Sequence, residues 1–184
     1  MIQICSFPHG LIRLIRFKFS GLYMRIYTGK GDFGKTRNFN GQSIDKNSSV
    51  IQLLGALDEI NSYLGLIKAM LSNCSFIEAI QKNIMKLMSH VSGMSGDDCL
   101  ISENDVKTIE KEIDKLSDNI PQRHELIVPG KNVTEAQIQI ARTIARRAEI
   151  LFFAANTKND LSSQAGVYLN RLSDYLFILS QQDL

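Results

Sequence analysis

The chain has 184 residues, 44% apolar and 22% charged, the balance of an ordinary globular protein long enough to bury one core. Its net charge of +2 is uneven: residues 1–23 carry Arg13, Arg16 and Lys18 without an acid, leaving −1 for the remainder and no electrostatic basis for binding nucleic acid. Three scattered cysteines (Cys5, Cys74, Cys99) and three isolated histidines (His9, His90, His124) provide neither a disulfide framework nor a protein-ligated metal site, and they suit a reducing, cytoplasmic setting.

Met1 to Tyr23 is apolar and basic, but Arg13, Arg16 and Lys18 break it into pieces too short for a membrane helix or a signal-peptide core. Residues 1–23 are read as an extension from an upstream start, with a targeting or membrane-surface peptide as the alternative, and residues 24–184 as one domain. No membrane association is expected of that domain.

Gly29-Lys30-Gly31-Asp32-Phe33-Gly34-Lys35-Thr36 matches the phosphate-binding pattern G-x-x-x-x-G-K-[ST] literally. A true P-loop continues into a helix at the Lys-Ser/Thr pair. Here Arg37-Asn38-Phe39-Asn40-Gly41-Gln42-Ser43 follows, rich in turn formers, and strand-helix alternation is missing. A nucleotide grip survives this reading; the P-loop fold does not.

From residue 48 onward the periodicity is helical. Ser48 and Ser49 cap a first helix with Val50, Leu53, Leu54, Leu57, Ile60, Leu64, Ile67 and Leu71 on its apolar face and Asn73 as its stop. Ser75 opens a second, with Ile77, Ile80, Ile84, Leu87 and Val91 inward, ending near Gly93 to Gly96. Ser102 caps a third, carrying Val106, Ile109, Ile113 and Leu116, which Ile120-Pro121 ends. After a loop at Ile127 to Gly130, Thr134-Glu135-Ala136-Gln137 has the spacing of a capping box and starts a fourth helix through about Ala155. Asn156 to Asp160 is a polar break. A fifth helix then spans Leu161 to Ser180, with Val167, Leu172, Leu176 and Leu179 in the core. Short links between long amphipathic helices predict an all-α, up-and-down five-helix bundle.

Three polar sets interrupt these faces. Arg142, Arg146 and Glu149 share one stripe of the fourth helix, with Arg147 beside it. Clustered guanidinium groups suit phosphate oxygens, while an exposed face partly neutralised by Glu149 is the alternative. On the fifth helix Asn170 and Asp174 are neighbours and Arg171 can pair with Asp174, an arrangement fit to orient a nucleotide or to be an ordinary surface pair. On the first, Asp58 and Glu59 are either solvated, or Asp58 is buried against an arginine such as Arg142.

Together these segments resemble the PduO-type ATP:cob(I)alamin adenosyltransferases. The resemblance runs through Met24-Arg25-Ile26-Tyr27-Thr28, Gly31-Asp32-x-Gly34-x-Thr36, Gly55-x-x-Asp58-Glu59-x-Asn61-Ser62, Val128-Pro129-Gly130, Ala141-Arg142-Thr143-Ile144-Ala145-Arg146-Arg147-Ala148-Glu149, and Leu169-Asn170-Arg171-Leu172-Ser173-Asp174-Tyr175-Leu176-Phe177. It implies a homotrimer with active sites between subunits, and attack of the cobalt of cob(I)alamin on the 5′-carbon of magnesium-ATP, giving adenosylcobalamin and triphosphate. It further implies that Thr28, Gly29, Lys30 and Gly31 line the phosphates, with Thr36 and Lys46 nearby. Arg146, Arg147, Glu149 and Asn170 then belong to the nucleotide site, with Lys30 and Arg146 stabilising the leaving triphosphate. Asp58 and Arg142 match a pair that shapes the active-site floor near the corrin.

Three departures from the family pattern stand out. The lysine of Thr28-Gly29-Lys30 is shifted one place along. Leu126 occupies the position of an aromatic ring that helps displace the lower cobalamin ligand, so weaker corrin handling is expected. The chain also stops at Leu184, soon after the fifth helix, which leaves little tail to cover the corrin. A non-catalytic ATP- or corrinoid-binding bundle is the alternative reading.

Overall fold

A computed structural model describes residue 29 and residues 31–71, 75–118, 120, 126–159 and 161–183. The expected roles of Thr28 and Lys30, the extension at residues 1–23, and the stops at Asn73 and Pro121 lie outside the described residues.

The described chain opens with a two-stranded antiparallel hairpin that the sequence pattern did not suggest. Its strands are β1 (Lys35–Arg37) and β2 (Ser43–Asp45), with Thr36 opposite Ile44. Asn38 closes the turn: its Oδ1 accepts from the Gln42 backbone N–H at 2.8 Å, its Nδ2 donates to Gln42 Oε1, and its carbonyl accepts from Gly41. Gly41 has φ 77°, a left-handed conformation that glycine adopts without strain. The Phe39 N–H donates to the Ser92 carbonyl and ties the hairpin to the end of the second helix. No helix starts at Lys35-Thr36, so the literal P-loop match lacks its structural context.

Five helices follow: α1 (Ser49–Met70), α2 (Ser75–Val91), α3 (Glu103–Ser117), α4 (Val133–Asn159) and α5 (Ser163–Ser180). Ser48 caps α1 by accepting from the Ile51 N–H. α1 is long and apolar enough to cross a membrane by composition alone, but Leu53, Leu57, Ile60, Leu64 and Ile67 are buried in the bundle. Ser102 and Asp105 form a reciprocal capping box on α3. Partial burial raises the Asp105 pKa, yet the Ser102 N–H and hydroxyl and the Lys86 ammonium outweigh it and hold the carboxyl below its ordinary range.

α4 starts differently from the expected capping box at Thr134. Asn132 is the cap, its Oδ1 accepting from the Glu135 N–H at 2.8 Å. Glu135 reaches back further than a box requires. Its Oε2 accepts from the N–H groups of Gly130 (2.7 Å) and Lys131 (3.1 Å), and this pins the Val128-Pro129-Gly130 loop to the helix. The helix also runs through the expected break: it reaches Asn159, and Asn156 Oδ1 accepts from the Leu161 N–H beyond the helix end. Asn156 thus organises the link to α5 without interrupting α4.

α4 packs against both α1 and α5, while α2 lies on α1 and α3 on α5. Its buried stripe is Ile138, Ala141, Ala145, Ala148, Phe152 and Ala155, spaced alternately three and four apart. Four alanines in that stripe permit close helix approach. Gly166 of α5 serves the same end, since a Cβ there would lie 2.9 Å from Cε1 of Phe152 and 3.2 Å from Cζ of Phe153. Val167, expected in the core, is exposed because the inward positions of α5 fall at Ala165, Tyr168, Leu169, Leu172, Tyr175, Leu176 and Leu179.

Gly166→Ala sets a helix-propensity gain of about 1 kcal/mol against an overpacking cost of about 1–3 kcal/mol. Phe152 is fully buried, so the clash prevails and the urea midpoint falls; an unchanged or higher midpoint would show that the ring can move aside. Glu135→Ala orphans two loop N–H groups and is expected to lower unfolding free energy by about 1–3 kcal/mol, with Glu135→Gln intermediate. Equal stability of all three proteins in urea titrations would refute the anchoring role.

Candidate active site

Two groups of polar side chains match the expected nucleotide-binding positions. The first is at the hairpin. Gly29 has φ 66°, and its carbonyl accepts from the Asp32 N–H, so the backbone turns sharply there. The Lys46 ammonium lies over Gly31, 3.3 Å from where a Cβ would stand. The Lys46 backbone N–H donates to the Gly34 carbonyl at 2.9 Å, which fixes the lysine against the loop. Thr36 is half-buried and pairs with Ile44 across the strands. Phe33 stands at the loop, 94% exposed, an aromatic ring that sequence reasoning passed over.

The second group is a polar stripe on α4, one position around from the alanine stripe. Asn132, Glu135, Gln139, Arg142, Arg146 and Glu149 follow each other three and four residues apart. Packing of the alanine stripe against α1 and α5 therefore sets the direction of every group on the polar one. Glu149 is held by α5, with Asn170 Nδ2 donating to its Oε1 at 3.0 Å. Asn170 is itself fixed, because its Oδ1 accepts from Nη1 of Arg171 at 2.7 Å. Arg171 also bonds Glu110 of α3 at 2.8 Å and, more loosely, Asp174 at 3.5 Å. Its pKa is raised chiefly by the hydrogen bond to Glu110. Beside the stripe, Arg147 pairs with Glu59 of α1; both are largely exposed, so the pair contributes at most about 1 kcal/mol.

Arg146 differs from these neighbours. It is exposed and has no hydrogen-bond or ion-pair partner among the described residues. Arg142 is half-buried, and its Nε donates to Gln139 Oε1 at 2.7 Å. Asp58 is exposed; its backbone carbonyl accepts from the Ser62 hydroxyl, and its carboxylate has no partner among the described residues. No ion pair joins Asp58 to Arg142 among the described residues, so burial of Asp58 against Arg142 within one chain is not what the fold produces. The helix turn points Leu53, Leu54, Leu57 and Ile60 into the bundle and leaves Asp58 and Glu59 outside.

Leu126 is 98% exposed and Val128 is exposed as well, on the loop that Glu135 pins. A second tie, from Lys131 Nζ to Asp183, joins this loop to the end of the described chain. The structure thus brings together Glu149 with Asn170, Arg147 with Glu59, and Gly31 with Lys46. No hydrogen bond or ion pair links the hairpin group to the α4 stripe among the described residues. Sequence reasoning missed Glu135 and Gln139, although the three-and-four spacing of Arg142, Arg146 and Glu149 leads back to both. Among the described residues no group of three or more His, Cys, Asp or Glu side chains converges as a metal-ligand set.

Comparison with known proteins agrees with this layout. A corrinoid adenosyltransferase of Citrobacter freundii is 34% identical over 164 residues, covering 85% of this chain and 93% of the relative. One from Bacillus subtilis (strain 168) is 33% identical, covering 84% and 83%. A variant PduO-type ATP:corrinoid adenosyltransferase from Lactobacillus reuteri, solved in complex with cobalamin and ATP, superposes with a TM-score of 0.78 at 27% identity, covering 85% of this chain and 92% of that one. The sequence pattern of the cobalamin adenosyltransferase family matches residues 26–182, which includes the hairpin, the α4 stripe and Asn170. On both sequence and fold, the chain belongs to the cobalamin adenosyltransferase family.

Proposed function

We propose that the chain transfers the 5′-deoxyadenosyl group of ATP to the cobalt of cob(I)alamin, giving adenosylcobalamin and triphosphate. The observation that carries this assignment beyond family membership is Arg146. Among the described residues it is an unpartnered guanidinium on a stripe whose other members are each held by a hydrogen bond. A free, rigid, always-charged donor suits a triphosphate whose negative charge grows as it leaves.

The reaction needs no protein nucleophile. The reduced cobalt supplies the electron pair for the new cobalt–carbon bond, and the bond between C5′ and the phosphate oxygen breaks with its pair leaving on triphosphate. The chain's tasks are to hold, orient and exclude water. Arg146, Lys46 and Lys30 grip the phosphates, with Thr28 and Thr36 as further ligands, and Gly29 and Gly31 let the backbone approach them. Glu149, fixed by Asn170, and Arg147, fixed by Glu59, orient the nucleoside. Leu126 and Val128 give the corrin an apolar surface. ATP would enter as its magnesium complex, an ion that binds mainly through phosphate oxygens and water and so would need no dedicated set of protein carboxylates. When bound, it would neutralise part of the triphosphate charge that Arg146 also meets.

We place the site between subunits of a homotrimer. Support comes from the hairpin and stripe groups, which have separate anchors, and from Asp58 and Arg142, which are unpaired with each other within the chain and available across an interface. Exposed Ile150 and Phe153 on α4 supply apolar surface for such contact. The setting is cytoplasmic and reducing, which suits a reduced cobalt and the free thiol of Cys99. Residues 24–184 form the catalytic domain, with residues 1–23 as an extension.

The test is anaerobic, with purified protein, magnesium-ATP and chemically reduced cobalamin. Adenosylcobalamin in the visible spectrum with matching triphosphate is expected, and ATP binding without either product would refute catalysis. Arg146→Ala should lower the transfer rate by about 100-fold or more without moving the urea midpoint. Transfer at the unaltered rate would remove Arg146 from the site. Asp58→Asn and Arg142→Ala should each slow transfer, with the double variant losing less than the product of the two effects. Fully multiplicative losses would show that the two residues act independently.

A further inference from the structure

Traced toward the start of α4, the polar stripe passes through two buried residues, Gln139 (5% exposed) and Glu135 (4%). Glu135 Oε2 is accounted for by its loop, while its buried Oε1 has no hydrogen-bond partner among the described residues. Gln139 is more unusual, a primary amide inside a helical bundle with both of its ends occupied.

Its Nε2 donates to Ser180 Oγ of α5 at 2.9 Å, and its Oε1 accepts from Nε of Arg142 at 2.7 Å. Neither partner allows the amide to turn over. The Ser180 hydroxyl proton is committed to the Phe177 carbonyl at 2.7 Å, so toward Gln139 the Ser180 oxygen can only accept; it also accepts from Gln181 Nε2. An arginine Nε–H can only donate. A flipped amide would set acceptor against acceptor at Ser180 and donor against donor at Arg142. Both faults would lie where water is scarce, so each would carry a full desolvation penalty.

We propose that Gln139 is a positioning residue for the transfer reaction: its amide, locked by Ser180, grips the inner edge of the Arg142 guanidinium and leaves both terminal nitrogens free for an anionic partner. The Nε bond sets the plane of the guanidinium, and with it the direction of the remaining fork. A neutral amide does this without adding a carboxylate that would itself occupy the fork. Ser180 and α5 thereby help to aim a residue on α4. The proposal rests on the reading of Arg142 as part of the active site.

The experiment pairs two readouts on Gln139→Met, which keeps length and removes both hydrogen bonds. The first is the 15N-edited signal of the Arg142 Nε–H, whose exchange with solvent should quicken by about tenfold in the variant. The second is the transfer rate, expected to fall about tenfold in the otherwise unaltered protein and to change less than about twofold when Arg142→Ala is already present. Ser180→Ala, which frees the amide from behind and leaves Gln139 in place, should move both readouts in the same direction, and it serves if the methionine variant does not fold. Unchanged Arg142 exchange, or an equal rate loss with and without Arg142, would overturn the proposal. Should the unaltered protein transfer no adenosyl group, the functional reading fails, and the exchange measurement alone decides whether Gln139 positions Arg142.

Discussion

The close approach of α4 to both α1 and α5 is the constraint on which the other features depend. It rests on a stripe in which four of six residues are alanine, and on Gly166 opposite Phe152. Small side chains contribute little burial energy each. Their value is geometric, because they bring the backbone of α4 near two neighbours and define its rotation about its own axis. Once that rotation is set, the stripe next to the alanines borders α5, and Arg147 beside it borders α1. Glu149 therefore meets Asn170, Arg147 meets Glu59, and Gln139 meets Ser180. The polar arrangement is a consequence of apolar packing.

That arrangement divides the charged groups into held and free. Carboxylates on neighbouring helices restrain Arg147 and Arg171, and the Gln139 amide of the same helix restrains Arg142, whereas Arg146 stands apart. A restrained cation loses little entropy when it meets a ligand, and a free one has its whole donor set to offer. Holding several charges in place around one open guanidinium is the preorganisation that transfer to a soft, reduced metal centre calls for, since no acid or base chemistry is needed there.

The five helices and most inward residues of α1, α2 and α3 were readable from three-and-four spacing, because amphipathic faces of this length leave few alternatives, whereas the alanine-rich stripe of α4 and most inward positions of α5 were not. Local competition was harder to read. Asn132 and Thr134 both carry a cap-forming side chain with a suitable residue three places on, and tertiary demand from the Gly130 loop selects Asn132 with Glu135. The hairpin was hidden because strands of three residues carry too little alternation to register. The neighbour order of the helices, with α4 between α1 and α5, does not follow from their chain order. For the same reason sequence could align Arg142, Arg146 and Glu149 on one face yet could not say that Asp58 faces solvent or that a buried glutamine stands behind Arg142.

The neighbour order bears on how a newly made chain reaches this state. α1 carries the apolar surface that α4 covers, and contacts such as Glu59 with Arg147 span 88 positions of sequence. At a synthesis rate of about 5–20 residues per second, that separation leaves α1 without its main partner for roughly 4 to 18 seconds. Of its two main helix partners α2 alone has been made in that interval, and by composition α1 is apolar enough to enter a bilayer. The nascent protein thus passes through a stage in which the apolar face of α1 is its most exposed liability. That face closes only when α4 emerges to cover it.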